Sequence, residues 1–90
     1  MMLNDIHEIT IYEVEKVREI FLEELSNNSS LHVDMTSITK IDMVGIQLLL
    51  SLVQTASDKS IELNFSNVHE NVLHEINLCH CQEALGLTDG

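Results

Sequence analysis

Cys79, His80 and Cys81 stand side by side near the end of the chain, with His74 about one and a half helical turns before them. Thiolates and imidazoles are the donors zinc prefers. The spacing, however, does not match the C-x-x-C and H-x-x-x-H pairs of structural zinc sites, so Cys79, His80 and Cys81 are weak metal candidates and no metal is expected. Asp34 and Asp42 form a second group. They fall near one edge of any sheet that ends at Asp34, where two carboxylates can hold Mg²⁺. Asp42 is also needed as a helix cap, so partner-facing or structural roles outweigh a metal role. No Ser/His/Asp order, paired-carboxylate site, phosphate-cradling glycine loop or Cys/His pattern points to an enzyme. His7, His32 and His69 are scattered and receive no role.

The elements that must position these residues come from one small domain over residues 1–90, since 90 residues support a single core. Hydrophobic residues make up 44% of the chain and aromatics only 3%, so Leu, Ile and Val must fill the interior. The four cations Lys16, Arg18, Lys40 and Lys59 face fifteen acidic residues, a formal net charge of −11. So few cations make no basic patch. Binding to nucleic-acid phosphates and electrostatic docking on an anionic membrane are excluded. An acidic domain suits a basic protein partner, though acidity also serves solubility. No basic n-region with an apolar run opens the chain, and no segment has the roughly 18 apolar residues of a membrane span. Two cysteines so close in sequence staple nothing, and a reducing cytoplasm is the expected location.

The pattern reads strand, helix, strand, helix, strand, helix. A short strand is expected near residues 6–9. Thr10 then opens a helix with the capping box Thr10-x-x-Glu13, and Ile9 and Val14 form a hydrophobic staple. Val14, Val17, Phe21 and Leu25 recur at helical spacing, and Ser26 to Ser30 make a polar stop. Leu31 to Met35 and Ile61 to Phe65 alternate apolar and polar, as strands with one wet face do. A third helix is expected at about 69–79. Strands separated by helices favour parallel neighbours and right-handed crossovers. The expected class is α/β, a small open mixed sheet with helices packed mainly on one face.

Between Ile41 and Leu50 the sequence is most specific: Ile41-Asp42-Met43-Val44-Gly45-Ile46-Gln47-Leu48-Leu49-Leu50. Asp42 is a good N-cap, Ile41 and Ile46 take the staple positions, and a helix from about Met43 to Ser57 follows. Gly45 costs roughly 1 kcal/mol against alanine in a helix, which suggests that something comes close to that turn. The run resembles the switch loop of STAS domains, the fold of anti-sigma-factor antagonists, written D-[S/T]-x-G before a leucine-rich helix. The resemblance extends from Ile6 to Leu87. It is nearest to the small stand-alone members found with bacterial chemotaxis and two-component systems.

That resemblance implies a soluble, non-catalytic adaptor without a cofactor, docking an anti-sigma factor of the kinase type or a chemotaxis protein. Docking would use Asp42, Met43, Val44 and Gly45, with Ile46, Leu50 and Val53 as an exposed apolar edge or a homodimer surface. In the family the residue after Asp is a phosphorylated Ser or Thr. Met43 stands there and cannot take a phosphate. Thr36, Ser37 and Thr39 are the nearby hydroxyls, read as turn polars. The family's third helix ends in two apolar residues, a glycine and another apolar residue. Leu78-Cys79 and Cys81 fit the apolar slots, and His80 takes the glycine position, which histidine tolerates. The alternatives are a small-ligand or metal-binding domain, or an accessory subunit of a lipid-transport ATPase docked through the same helix.

Overall fold

The computed structural model describes residue 3 and residues 5–87. The chain runs β1 (Glu8–Ile9), α1 (Val14–Asn27), β2 (Ser30–Asp34), β3 (Lys40–Ile41), α2 (Met43–Asp58), β4 (Glu62–Ser66) and α3 (Glu70–Leu78). The strands form two parallel ladders, β1 with β3 and β2 with β4. The α/β class and the alternation of strands and helices are as the sequence predicts. The sheet differs in detail: both described ladders are parallel, and they are separate two-stranded units. β1 stops at Ile9 because Thr10 begins a turn, its carbonyl accepting from the Glu13 N–H at 2.9 Å. β3 stops at Ile41 because the next residue caps α2. A two-residue strand is too short to show alternation, which is why β3 is not visible in the sequence.

β2 buries Leu31 and Val33 and exposes Ser30 and His32, the one-sided burial that alternation predicts. α1 lays Val17, Phe21 and Leu25 on the core, and the Phe21 ring meets Phe65 of β4 at 6.5 Å between centroids. Its start is a correction. The capping box at Thr10 does not form, and the helix begins at Val14 with no side-chain cap on Glu13. Thr10 is buried, its hydroxyl donates to the Glu8 carboxylate, and its oxygen accepts from the Tyr12 N–H at 3.4 Å, while the Glu13 N–H that a capping box needs goes to the Thr10 carbonyl. The polar stop after α1 behaves as expected: Asn27 and Asn28 side-chain amides donate to the carbonyls of Glu23 and Glu24 at 3.0 and 2.7 Å.

α2 and α3 end in the same way, with a left-handed residue that lets two N–H groups fold back on the last turn. Ser60 (φ 58°) donates to Ser57 at 3.1 Å and Ile61 to Ala56 at 2.8 Å. His80 (φ 56°) donates to Asn77 at 3.0 Å and Cys81 to Ile76 at 3.2 Å. The glycine-like slot expected at His80 is therefore occupied as such. His69, given no role from sequence, is the N-cap of α3, its Nδ1 accepting from the Asn71 N–H at 3.1 Å. A Cβ in the left-handed region costs roughly 1 kcal/mol or more. Ser60→Gly and His80→Gly are each expected to stabilise the fold by about 1 kcal/mol, read as a rise of several degrees in thermal midpoint.

Candidate protein-binding site at the N-terminus of α2

Asp42 has an extended backbone and both of its carboxylate oxygens are engaged. Oδ1 accepts from the Gly45 N–H at 2.9 Å, which caps α2. Oδ2 accepts from the Ile11 N–H at 3.0 Å, which ties the β1–α1 turn to the same helix end. Partial burial raises its pKa, but the N–H groups of Ile11, Gly45 and Val44 outweigh this and hold the carboxyl below the ordinary value. Ile41 and Ile46 are buried at 6% and 1% exposure, as the predicted staple requires.

Gly45 answers why a poor helix former opens this helix. A Cβ there would lie 1.8 Å from the Ile9 carbonyl oxygen, 2.7 Å from its carbon and 2.9 Å from Ile41 Cγ1. What approaches Gly45 is therefore the chain's own β1, and the buried glycine is not contact surface. Ile46 is a second correction. At 1% exposure it faces the core, and Leu50 and Val53 are half-buried against that core. The predicted exposed edge thus loses Ile46 to the core and keeps Leu50 and Val53 only partly exposed, beside Gln47, Ser51 and Gln54, which face solvent.

What remains outside is Met43, 54% exposed, and Val44, 37% exposed. They are not alone. Among the described residues the other large exposed apolar side chains are Ile11, Tyr12, Leu22 and Leu78. Ile11 is tied to Asp42 through its N–H, and Tyr12, 86% exposed, follows it. Cys79 Sγ lies 3.9 Å from Met43 Sδ, and Leu78 immediately precedes Cys79. Three elements thus bring Ile11, Tyr12, Met43, Val44 and Leu78 to one end of the molecule, while Leu22 lies along α1. Ile11, Tyr12 and Leu78 were missed from sequence. The available signal was that Leu78 falls off the buried stripe of α3 and that Tyr12 does not continue the Val14, Val17, Phe21 and Leu25 spacing that follows it.

The remaining candidates are taken up locally. The Asp34 carboxylate accepts from the Thr36 hydroxyl, from the Thr36 N–H at 2.9 Å and from Asn67 Nδ2 at 3.3 Å, and these donors hold its pKa low. It closes the loop after β2 through Oδ1, while Asp42 has both oxygens engaged by the Gly45 and Ile11 N–H groups. Ser37 donates to the Leu3 carbonyl at 2.7 Å and Thr39 to that of His7 at 3.5 Å, so these hydroxyls tie the loop after β2 to the N-terminal segment instead of closing the turn itself. The Cys81 thiol turns to the Cys79 carbonyl at 3.3 Å, and His80 is exposed. Among the described residues no three His, Cys, Asp or Glu side chains converge as metal ligands. None of the described helices is long and apolar enough to cross a membrane.

The sequence profile of the STAS domain matches residues 1–88. The chain belongs to the STAS domain family. Two solved structures share its fold. One is the murine Solute Carrier 26 family member A9 anion transporter in its inward-facing state, with a TM-score of 0.73 and 20% identity over 83% of this chain. The other is a sulfate transporter family protein from Wolinella succinogenes, with a TM-score of 0.74 and 17% identity over 96% of this chain. This STAS domain corresponds to 13% of the mouse transporter and 69% of the bacterial protein. No curated protein sequence matches the chain.

Two outcomes follow from the geometry of this STAS domain. Gly45→Ala gains roughly 1 kcal/mol of helix propensity but drives a methyl group into the Ile9 carbonyl. The clash is the larger effect, and a net loss of about 3 kcal/mol is expected in a denaturant melt. Asp42→Ala should cost about 1–2 kcal/mol at neutral pH. Because the folded pKa of Asp42 lies below its unfolded value, the carboxylate's contribution is complete above about pH 4 and is lost as pH falls through the folded value. Melts of the wild type and Asp42→Ala should therefore converge at acid pH.

Proposed function

We propose that this STAS domain is a non-catalytic protein-binding adaptor in bacterial signal transduction. It works in the cytoplasm and docks a kinase-like anti-sigma factor or a chemotaxis protein through the tip of α2. One observation carries the reading: among the described residues the exposed large apolar side chains, Leu22 aside, belong to the three segments that meet at Asp42 and Met43. Such an apolar cluster on an otherwise acidic domain is the composition of an interaction site. Tyr12 is the type of rigid, amphipathic side chain that anchors interfaces, and Met43 adapts to the shape it meets. The charge of −11 draws a basic partner and speeds encounter. Asp42 shapes the loop, Met43 and Val44 make contact, and Gly45 lets the loop sit against β1. With methionine at the family's phosphorylated position, phosphorylation at that position does not release the partner.

A second reading is an accessory subunit of a lipid-transport ATPase, docked through the same tip; the two solved structures above, an anion transporter and a sulfate transporter family protein, keep a transport role in view. A second copy of the chain is a further possible occupant. Titration separates these. Purified kinase-like anti-sigma and chemotaxis proteins of the same genome are titrated with the wild type, Met43→Glu, Val44→Glu and Leu22→Glu. The expected result is at least roughly tenfold weaker binding for the two tip variants, with Leu22→Glu unchanged and all thermal midpoints close to the wild type. Equal affinity of all four for a bound partner removes the tip from the interface. Sedimentation of the free protein reads the homodimer.

A further inference from the structure

Met43 carries the most exposed sulfur described in the chain: Met35 is 1% exposed, and Cys79 and Cys81 are half-buried. Its thioether sits in the middle of the apolar tip, 3.9 Å from the Cys79 thiol. We propose that Met43 is a reversible oxidation site, at which a hydroperoxide weakens docking. The proposal rests on the docking reading above and supplies its regulation.

The step balances without a metal or cofactor. A lone pair on Sδ attacks one oxygen of the peroxide, and the O–O bond breaks. The sulfur gains an oxygen and loses two electrons. The peroxide gains them and, with proton transfer, leaves as water or an alcohol. A sulfoxide reductase returns the thioether with electrons from thiols. The product matters because of where it forms. A sulfoxide oxygen is a strong acceptor, and the nearest capping donors, the N–H groups of Gly45 and Ile11, are already held by Asp42. The side-chain donor in contact is the Cys79 thiol, which is weak. A partner closing over the tip must strip water from an acceptor that the fold cannot satisfy, and it loses apolar contact at the same point. A polar group thus appears at the contact's centre without a hydroxyl or a kinase.

The test uses the intact protein. It is treated with a stoichiometric amount of hydrogen peroxide and then with dithiothreitol, which restores thiols and leaves sulfoxide in place. Peptide mass spectra are expected to show one added oxygen at Met43 with Met35 unchanged. Affinity for the anti-sigma or chemotaxis protein found by titration should fall at least roughly tenfold and return after methionine sulfoxide reductase. Met43→Leu, close to methionine in volume, has no thioether to oxidise, and whatever affinity it has before treatment should be the same after peroxide. Oxidation of Met35 as fast as Met43, or unchanged affinity of the Met43-oxidised protein, overturns the switch while the docking site stands. If the untreated protein binds none of these partners, the docking reading and the switch both fall.

Discussion

The carbonyl of Ile9 and the first turn of α2 occupy nearly the same space, and they do so because Gly45 has no side chain. Any Cβ at that position would meet the carbonyl oxygen at 1.8 Å. The close approach lets Ile9 and Ile46 both reach the core from opposite elements, at 0% and 1% exposure. It also brings the turn after β1 within reach of Asp42. One carboxylate then serves two segments, the helix it caps and the Ile11 N–H. A missing side chain and a bidentate acceptor together set where α2 begins and which way it leaves the sheet.

The tip takes its character from that arrangement. The residue that follows a tightly held N-cap has little backbone freedom, yet its side chain points away from the packed face. Met43 and Val44 are in that position, and the core has no room for them because Ile41 and Ile46 fill the space beneath. The end of α3 closes the other side through the sulfur contact to Cys79. Rigid backbone under adaptable side chains suits recognition, since little ordering is lost on binding.

The sequence was most legible where local chemistry and burial agreed. Asp42, Ile41 and Ile46 could be read as cap and staple because those roles depend on spacing alone. The alternation of Leu31 and Val33 with Ser30 and His32 announced a one-sided strand for the same reason. Thr10 misled because the capping-box pattern was present but its hydroxyl is taken up by the residues two before and two after it, Glu8 and Tyr12. β3 was invisible at two residues. The contact surface was half legible. Met43 and Val44 follow from the cap, but α2 is apolar on too many sides for sequence to say which of Ile46, Leu50 and Val53 turns inward. Ile11, Tyr12 and Leu78 join the site only through contacts between segments far apart in the chain.

Both ladders are parallel, and in each the partners are thirty-two positions apart, Glu8 with Lys40 and Ser30 with Glu62. No strand can find its neighbour until a whole crossover helix has been traversed. Closing loops of that length is entropically costly, and a two-residue ladder returns few hydrogen bonds for it. The packing of α1 on α2 must therefore supply stability that the short β1–β3 ladder does not. Two separate two-stranded ladders also leave each described strand with a partner on one side only, so the order of the fold rests on helices covering what a continuous sheet would pair.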